Sequence, residues 1–184
     1  MNFEETRLAG AYLVDLAPHS DERGFFARSY CGEEFAERGL VQHWPQCNVS
    51  FNTAKGTLRG LHYNAPPHAE AKLVRCTMGA IHDVIVDLRP ESPSFLDWIG
   101  VDLDAKSRRA LYVPGGFAHG FITLVDDTEV LYQMGSSYVP EAGRGLRFDD
   151  SLLGVQWPLP VEVISERDAT YPDLDLRSLQ EELR

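Results

Sequence analysis

What most constrains this chain is a succession of short strand-like segments, set off by turn residues and not separated by helices. GAYLVDL (10–16) is followed by Pro18 and Ser20, and RGFFARSY (23–30) comes next. NVSFN (48–52) precedes a turn at Lys55-Gly56, TLRGLHY (57–63) runs into NAPPHAE, and KLVRCTM (72–78) stops at Gly79. AIHDVIVDL (80–88), LDWIGVDL (96–103), RALYV (109–113), AHGFITLV (118–125) and TEVLYQM (128–134) complete the run. Asp126-Asp127 reads as a hairpin turn between the last two. In 80–88, Val84, Val86 and Leu88 share one face, and Asp83 and Asp87 the other. CGEEFAERG (31–39) predicts a short helix ending at Gly39, and LRSLQEELR (176–184) a terminal one. Segment 138–160 is rich in Pro, Gly and Asp and reads as loops, while VEVIS (161–165) predicts a last strand. Many short strands without interleaved helices predict an all-β fold. The expected form is an antiparallel sandwich or jelly-roll barrel with a few short helices, not a parallel α/β sheet.

The 184 residues carry no linker, repeat or low-complexity tract, so 1–184 reads as one domain with room for a real core. The formal net charge of -11 repels nucleic acid and anionic membrane, and neither is an expected partner. Cys31, Cys47 and Cys76 are far apart and form no CxxC pair, which suits a reducing compartment. The opening MNFEETRLAG has no basic-then-apolar leader, and no apolar run reaches membrane-spanning length. The expectation is a cytoplasmic protein.

TLRGLHY carries the first candidate chemistry. In a regular strand Arg59 and His62 point to opposite faces, but a bulge at Gly60 would turn both toward one cavity. Read alone, the pair is open to a blander account: a surface arginine and a satisfied core histidine. Small barrels of the cupin kind bind metal through G-x5-H-x-H-x3,4-E-x6-G and P-x-G-x2-H. Gly56, His62 and Gly79 fit the outer positions of the first motif, and Pro114, Gly116 and His119 fit the second. However, Asn64 replaces the second histidine, and Lys72, with no lone pair to donate, stands at the glutamate position. A site of His62, His119 and His68 is the residual metal reading. No G-x-G-x-x-G follows a strand to hold a dinucleotide.

Taken in order, DERGFFARSY (21–30), KGTLRGLHYNAPPHAEAKLVRCTMG (55–79), DVIVDLRPESPSF (83–95), LYVPGGFAHGF (111–121), LYQMGSSYVPEAGRG (131–145) and ISERD (164–168) span nearly the whole chain. This set is similar to the dTDP-4-dehydrorhamnose 3,5-epimerase family, a metal-free branch of the cupins. The resemblance implies a cupin-like epimerase that needs no cofactor and acts on a nucleotide-linked 4-keto-6-deoxyhexose. It implies His62 as proton acceptor, Asp168 as its carboxylate partner, Tyr132 as proton donor, and Lys72 beside the sugar's C4 oxygen. Arg23 and Arg59 match arginines that bind substrate, including its diphosphate. His119 matches a second pocket histidine, Tyr138 the tyrosine that stacks on the base, and Gln46 and Asn48 the polar Q-x-N segment. Family members are usually dimers that exchange a strand, so a homodimer is implied. Arg28, Gln133, Gly143 and Arg167 depart from the family pattern and bear on which nucleotide and sugar are taken.

The implied chemistry has a physical rationale. Removing a proton beside a ketone leaves an enolate, so the site needs a near-neutral base, a cation at the oxygen and an acid on the opposite face. Histidine suits the base, and a carboxylate on its other nitrogen fixes its tautomer. A buried ammonium stabilises the oxyanion. Without the resemblance, Tyr132 shares parity with Val130 and Met134 and reads as core, Lys72 as a solvated strand opener, and Asp168 as a turn residue. His82 reads as structural, His19, His43 and His68 as loop residues, and Trp44, Trp98 and Trp157 as packing. The rival functions are inversion of a single carbon, another nucleotide sugar, and a non-catalytic binding cupin.

Overall fold

The alternating segments assemble into two antiparallel sheets laid face to face, in a computed structural model that describes residues 1–183. The first sheet contains β1 (Asn2–Glu5), β2 (Tyr12–Asp15), β5 (Gln46–Asn52), β7 (Lys72–Met78), β10 (Ala110–Val113) and β12 (Thr128–Met134). Its order is β1-β2-β10-β7-β12-β5, which leaves β5 at an edge. The second contains β6 (Leu58–Asn64), β8 (Ala80–Asp87), β9 (Trp98–Asp104), β11 (Phe117–Thr123) and β13 (Gly143–Gly145), in the order β13-β6-β11-β8-β9. A two-stranded ribbon of β3 (His19–Asp21) and β4 (Gly24–Phe26) stands apart from both. Three short helices, α1 (Gly32–Ala36), α2 (Glu166–Ala169) and α3 (Leu176–Glu182), complete the chain, with a 3-10 turn at Pro140–Ala142. This is the expected all-β, cupin-like jelly-roll sandwich.

Three apolar layers hold it together. Between the sheets lie Val74, Cys76, Ile81, Ile85, Leu111, Phe121 and Val130. The outer face of the second sheet packs Leu61, Val84, Val86 and Leu88 under Leu146, Leu153, Val155 and Leu179, with Trp98 and Trp157 at the margin. The outer face of the first packs Leu73, Ala110 and Tyr112 under Phe35 and Leu40, with Trp44 alongside. With both faces covered, strand alternation no longer separates core from solvent.

That layering keeps Asp83 and Asp87 opposite Val84 and Val86, as expected, and corrects several other readings. The Asp83 and Asp87 face of β8 points into the molecule, and both carboxylates are fully buried. Burial is tolerated because Asp83 is paired with His119, while Asp87 holds Arg89, Ser92 and Ser94. Asp126-Asp127 is not a hairpin turn. β11 and β12 belong to different sheets, and the turn carries the chain from one layer to the other. VEVIS forms only an isolated parallel bridge, Thr57 to Val163, because it lies along the open edge of a strand already paired elsewhere. Segment 138–160 contains the short strand β13. His19 lies in a strand rather than a loop. Of the predicted helix 176–184, Arg184 lies outside the described residues.

Candidate active site

Gly60 arranges the first part of the site. Across β6 and β11, His62 is opposite His119 and Arg59 is opposite Phe121, so β6 carries one extra residue between them. This bulge turns Arg59 and His62 to the same cavity. Gly60 has φ +123, and a Cβ there would lie 2.5 Å from the Gly120 Cα. A side chain is therefore excluded on two grounds, backbone conformation and close strand approach.

The cavity, about 730 Å³, lies between the sheets and is lined from β5, β6, β7, β11, β12 and the segment around α2. His62 Nε2 lies 2.7 Å from Asp168 Oδ1. Asp168 is placed by α2, whose N-cap Ser165 Oγ accepts its amide, and its Oδ2 accepts the Gly60 amide at 3.1 Å. Burial pushes the Asp168 carboxyl up, but its bonds to His62 and Gly60 outweigh this and hold it below the usual carboxylate range. An ionised Asp168 requires the proton on His62 Nε2, which leaves Nδ1 as the free basic nitrogen. The His62 side chain is 42% exposed, open to a ligand.

Tyr132 comes from β12 in the opposite sheet, and its hydroxyl lies 3.2 Å from Ser50 Oγ. Burial, partly offset by Ser50, raises the phenol well above its ordinary value, so it remains a proton carrier across the neutral range. Lys72 opens β7 in the same cavity. Burial lowers its ammonium below the ordinary lysine value, with Glu70 and Asp83 acting the other way. Glu70, bonded to Ser136 Oγ, is itself raised by burial.

The remaining candidates divide. Gln46, Asn48, Arg59, His119 and Tyr138 all line the cavity. Tyr138 stands 73% exposed, its amide donating to Gln46 Oε1 at 3.1 Å. Arg59 Nε donates to Asn52 Oδ1 at 2.7 Å. His119 is buried and paired with Asp83 at 2.7 Å. Arg23 is not brought into this cavity: it sits on the β3–β4 ribbon, 84% exposed and paired with Asp21. The ribbon pairs with neither sheet and meets Arg108 through Phe25, while Arg23 stays outside the cavity lining. Of the departures from the family pattern, Arg167 lines the cavity and Gly143 an adjoining recess. Gln133 faces away from it, and Arg28 pairs with Glu34 elsewhere.

Among the described residues, no group of three His, Cys, Asp or Glu side chains is placed to hold a metal ion. His62 and His119 are each engaged by a separate carboxylate, and His68 does not line the cavity. Ser50, Asn52, Glu70 and Asp83 were not singled out in the sequence. Their signal was period-two polarity: Gln46, Asn48, Ser50 and Asn52 alternate along β5, and Asp83 interrupts the row Ile81, Ile85.

Residues 5–175 match the family model described as dTDP-4-dehydrorhamnose 3,5-epimerase. The dTDP-4-dehydrorhamnose 3,5-epimerase of Shigella flexneri is 40% identical over 169 residues, 91% of this chain and 93% of that protein. The crystal structure of the Bacillus anthracis dTDP-4-dehydrorhamnose 3,5-epimerase with TDP and PPi bound superposes with TM-score 0.90 at 40% identity, covering 94% of this chain and 99% of that one. The Legionella pneumophila dTDP-6-deoxy-D-glucose-3,5-epimerase in complex with dTDP-4-keto-L-rhamnose superposes with TM-score 0.89 at 35% identity, covering 97% of this chain and 96% of that one. The chain therefore belongs to the dTDP-4-dehydrorhamnose 3,5-epimerase family.

Proposed function

We infer that this protein is an isomerase that inverts C3 and C5 of a dTDP-linked 4-keto-6-deoxyhexose, giving the dTDP-4-dehydrorhamnose configuration by deprotonation and reprotonation. The observation that carries the reading is one cavity in which the His62–Asp168 pair and Tyr132 enter from opposite sheets, with Lys72 between the same walls. The His62 imidazole takes the proton from the carbon beside the ketone. Asp168 stabilises the imidazolium that results. The Lys72 ammonium stabilises the enolate oxygen in a water-poor setting. The Tyr132 phenol returns a proton from the other face, which inverts the centre. Because the ketone is at C4, C3 and C5 are both activated, and one set of groups serves each in turn once the imidazolium has given its proton to water and the phenolate has taken one back. Every step is a proton transfer that these side chains can carry out.

Arg59 and Arg167 supply positive charge at the cavity against a net charge of -11, as a diphosphate requires. Tyr138 offers an exposed ring for stacking a base, and Gln46, Asn48 and His119 offer polar contacts to the rest of the substrate. The β3–β4 ribbon, with Phe25 and Phe26 exposed and Arg23 at its turn, suits exchange with a second copy, which would receive Arg23 at its own cavity. The reading is therefore a homodimer, checked by sedimentation. No helix among the described residues is long and apolar enough to cross a membrane. The three free cysteines fit the cytoplasm, where the reading places the enzyme.

The test is incubation with dTDP-4-keto-6-deoxyglucose in heavy water, followed by proton NMR. Deuterium at C3 and C5 with inversion at both is expected. Label at one carbon only would make this a single-carbon epimerase. No label from folded protein would rule out this substrate.

A further inference from the structure

The inward row of β5 differs from the rows beside it. On β7 and β12 the side chains facing the other sheet include Val74, Cys76 and Val130, all in the central core. On β5 they are Gln46, Asn48, Ser50 and Asn52, polar at every position. An edge strand lying at a cavity can hold such a row, because its partners are functional side chains rather than core.

Asn52 is the most constrained. It is 3% exposed, yet both ends of its amide are engaged. Oδ1 accepts Arg59 Nε at 2.7 Å, and Nδ2 donates to the Thr128 carbonyl at 3.1 Å. A guanidinium can only donate and a carbonyl can only accept, so the amide orientation is fixed. With Nε held by Asn52 and Nη2 reaching the Phe51 carbonyl at 3.5 Å, Nη1 is left for a ligand. Ser50 stands two residues earlier on the same face, 3.2 Å from the Tyr132 hydroxyl. If Ser50 donates, the phenol's own hydrogen is free for the substrate. The same bond then strengthens as the phenolate forms, since hydrogen bonds to ionised oxygen are the stronger kind.

We propose that the inward face of β5 is a positioning strand, in which Ser50 aims the Tyr132 phenol and Asn52 aims the Arg59 guanidinium. The proposal rests on the roles assigned above to Tyr132 and Arg59. Neither Ser50 nor Asn52 is a catalytic residue in this account; each acts through the side chain it holds.

The two positions should separate kinetically. Ser50→Ala is expected to lower kcat for inversion about tenfold at unchanged KM, the scale on which a slightly misplaced group is felt. Ser50→Thr, which keeps the hydroxyl, restores it. Asn52→Ala is expected to raise KM about tenfold at unchanged kcat. Asn52→Asp keeps the acceptor for Arg59 but sets an oxygen against the Thr128 carbonyl, so it should recover only part of the parent KM. Added to Tyr132→Phe, Ser50→Ala should cost nothing further, and added to Arg59→Ala, Asn52→Ala should cost nothing further. Losses that multiply in these double variants, or a lower kcat together with a higher KM in each single one, would overturn the proposal. If Tyr132→Phe and Arg59→Ala themselves behave as the parent enzyme, the assignment of those two roles fails first, a result distinct from failure of the positioning strand alone.

Discussion

The cavity region contains two histidine–carboxylate pairs with the same 2.7 Å separation and very different surroundings. The His62 side chain is 42% exposed, and His119 only 5%. Asp168 is fed by a backbone amide through its second oxygen, whereas the second oxygen of Asp83 is buried without a partner. The two histidines are direct neighbours across β6 and β11. Pair geometry alone therefore does not identify a base; access does. His62 can turn its free nitrogen to a substrate, while His119 is held by the sandwich and suits a fixed contact.

The sharpest way to break this contrast is His62→Ala, which is expected to reduce deuterium exchange on the order of a thousandfold, the scale of a lost general base. His119→Ala should leave substantial exchange under saturating substrate. Equal residual exchange in the two variants would remove the distinction. Next, Asp83→Asn should cost about 3 kcal/mol in urea unfolding, because it leaves a buried charge or donor uncompensated. Asp168→Asn should cost less stability but more turnover, since its histidine is half open to solvent. Tyr132→Phe is expected to lower inversion about a hundredfold while exchange at His62 falls less, read by comparing label with product configuration.

Two smaller effects follow from titration. Asp168 is held below its unfolded value, so its contribution to stability is present above that value and lost as pH falls through the folded one. Asp168→Asn should flatten the acid limb of unfolding free energy against pH. Lys72 is lowered by burial, so the charge at the ketone is lost at a lower pH than an ordinary lysine would lose it. The alkaline limb of the exchange rate should lie correspondingly low, and Lys72→Arg should move it upward.

The strand succession was legible because turn residues punctuate it, and the Gly60 bulge was legible as an option, because a glycine there lets an arginine and a histidine three apart share a face. The partition of strands into sheets was not. Asp126-Asp127 has the composition of a hairpin turn, yet it joins two layers, and only long-range pairing decides between these. The burial of Asp83 was out of reach for a related reason. A carboxylate in alternation signals solvent unless a partner 36 positions away in sequence, His119, makes burial tolerable. Ser50 and Asn52 went unseen because a polar row on a strand looks the same whether it faces water or an enclosed ligand.

Neighbouring residues on β6 answer to opposite ends of the molecule. His62 looks into the cavity, while the Tyr63 hydroxyl donates to Glu182 on α3 at 2.7 Å, a carboxylate that Arg144 of β13 also holds. The last helix thus braces the strand that carries the imidazole from behind. Clipping it would loosen the alignment of a group on the far side of the sheet, so turnover should register damage at the carboxyl terminus before the barrel itself comes apart.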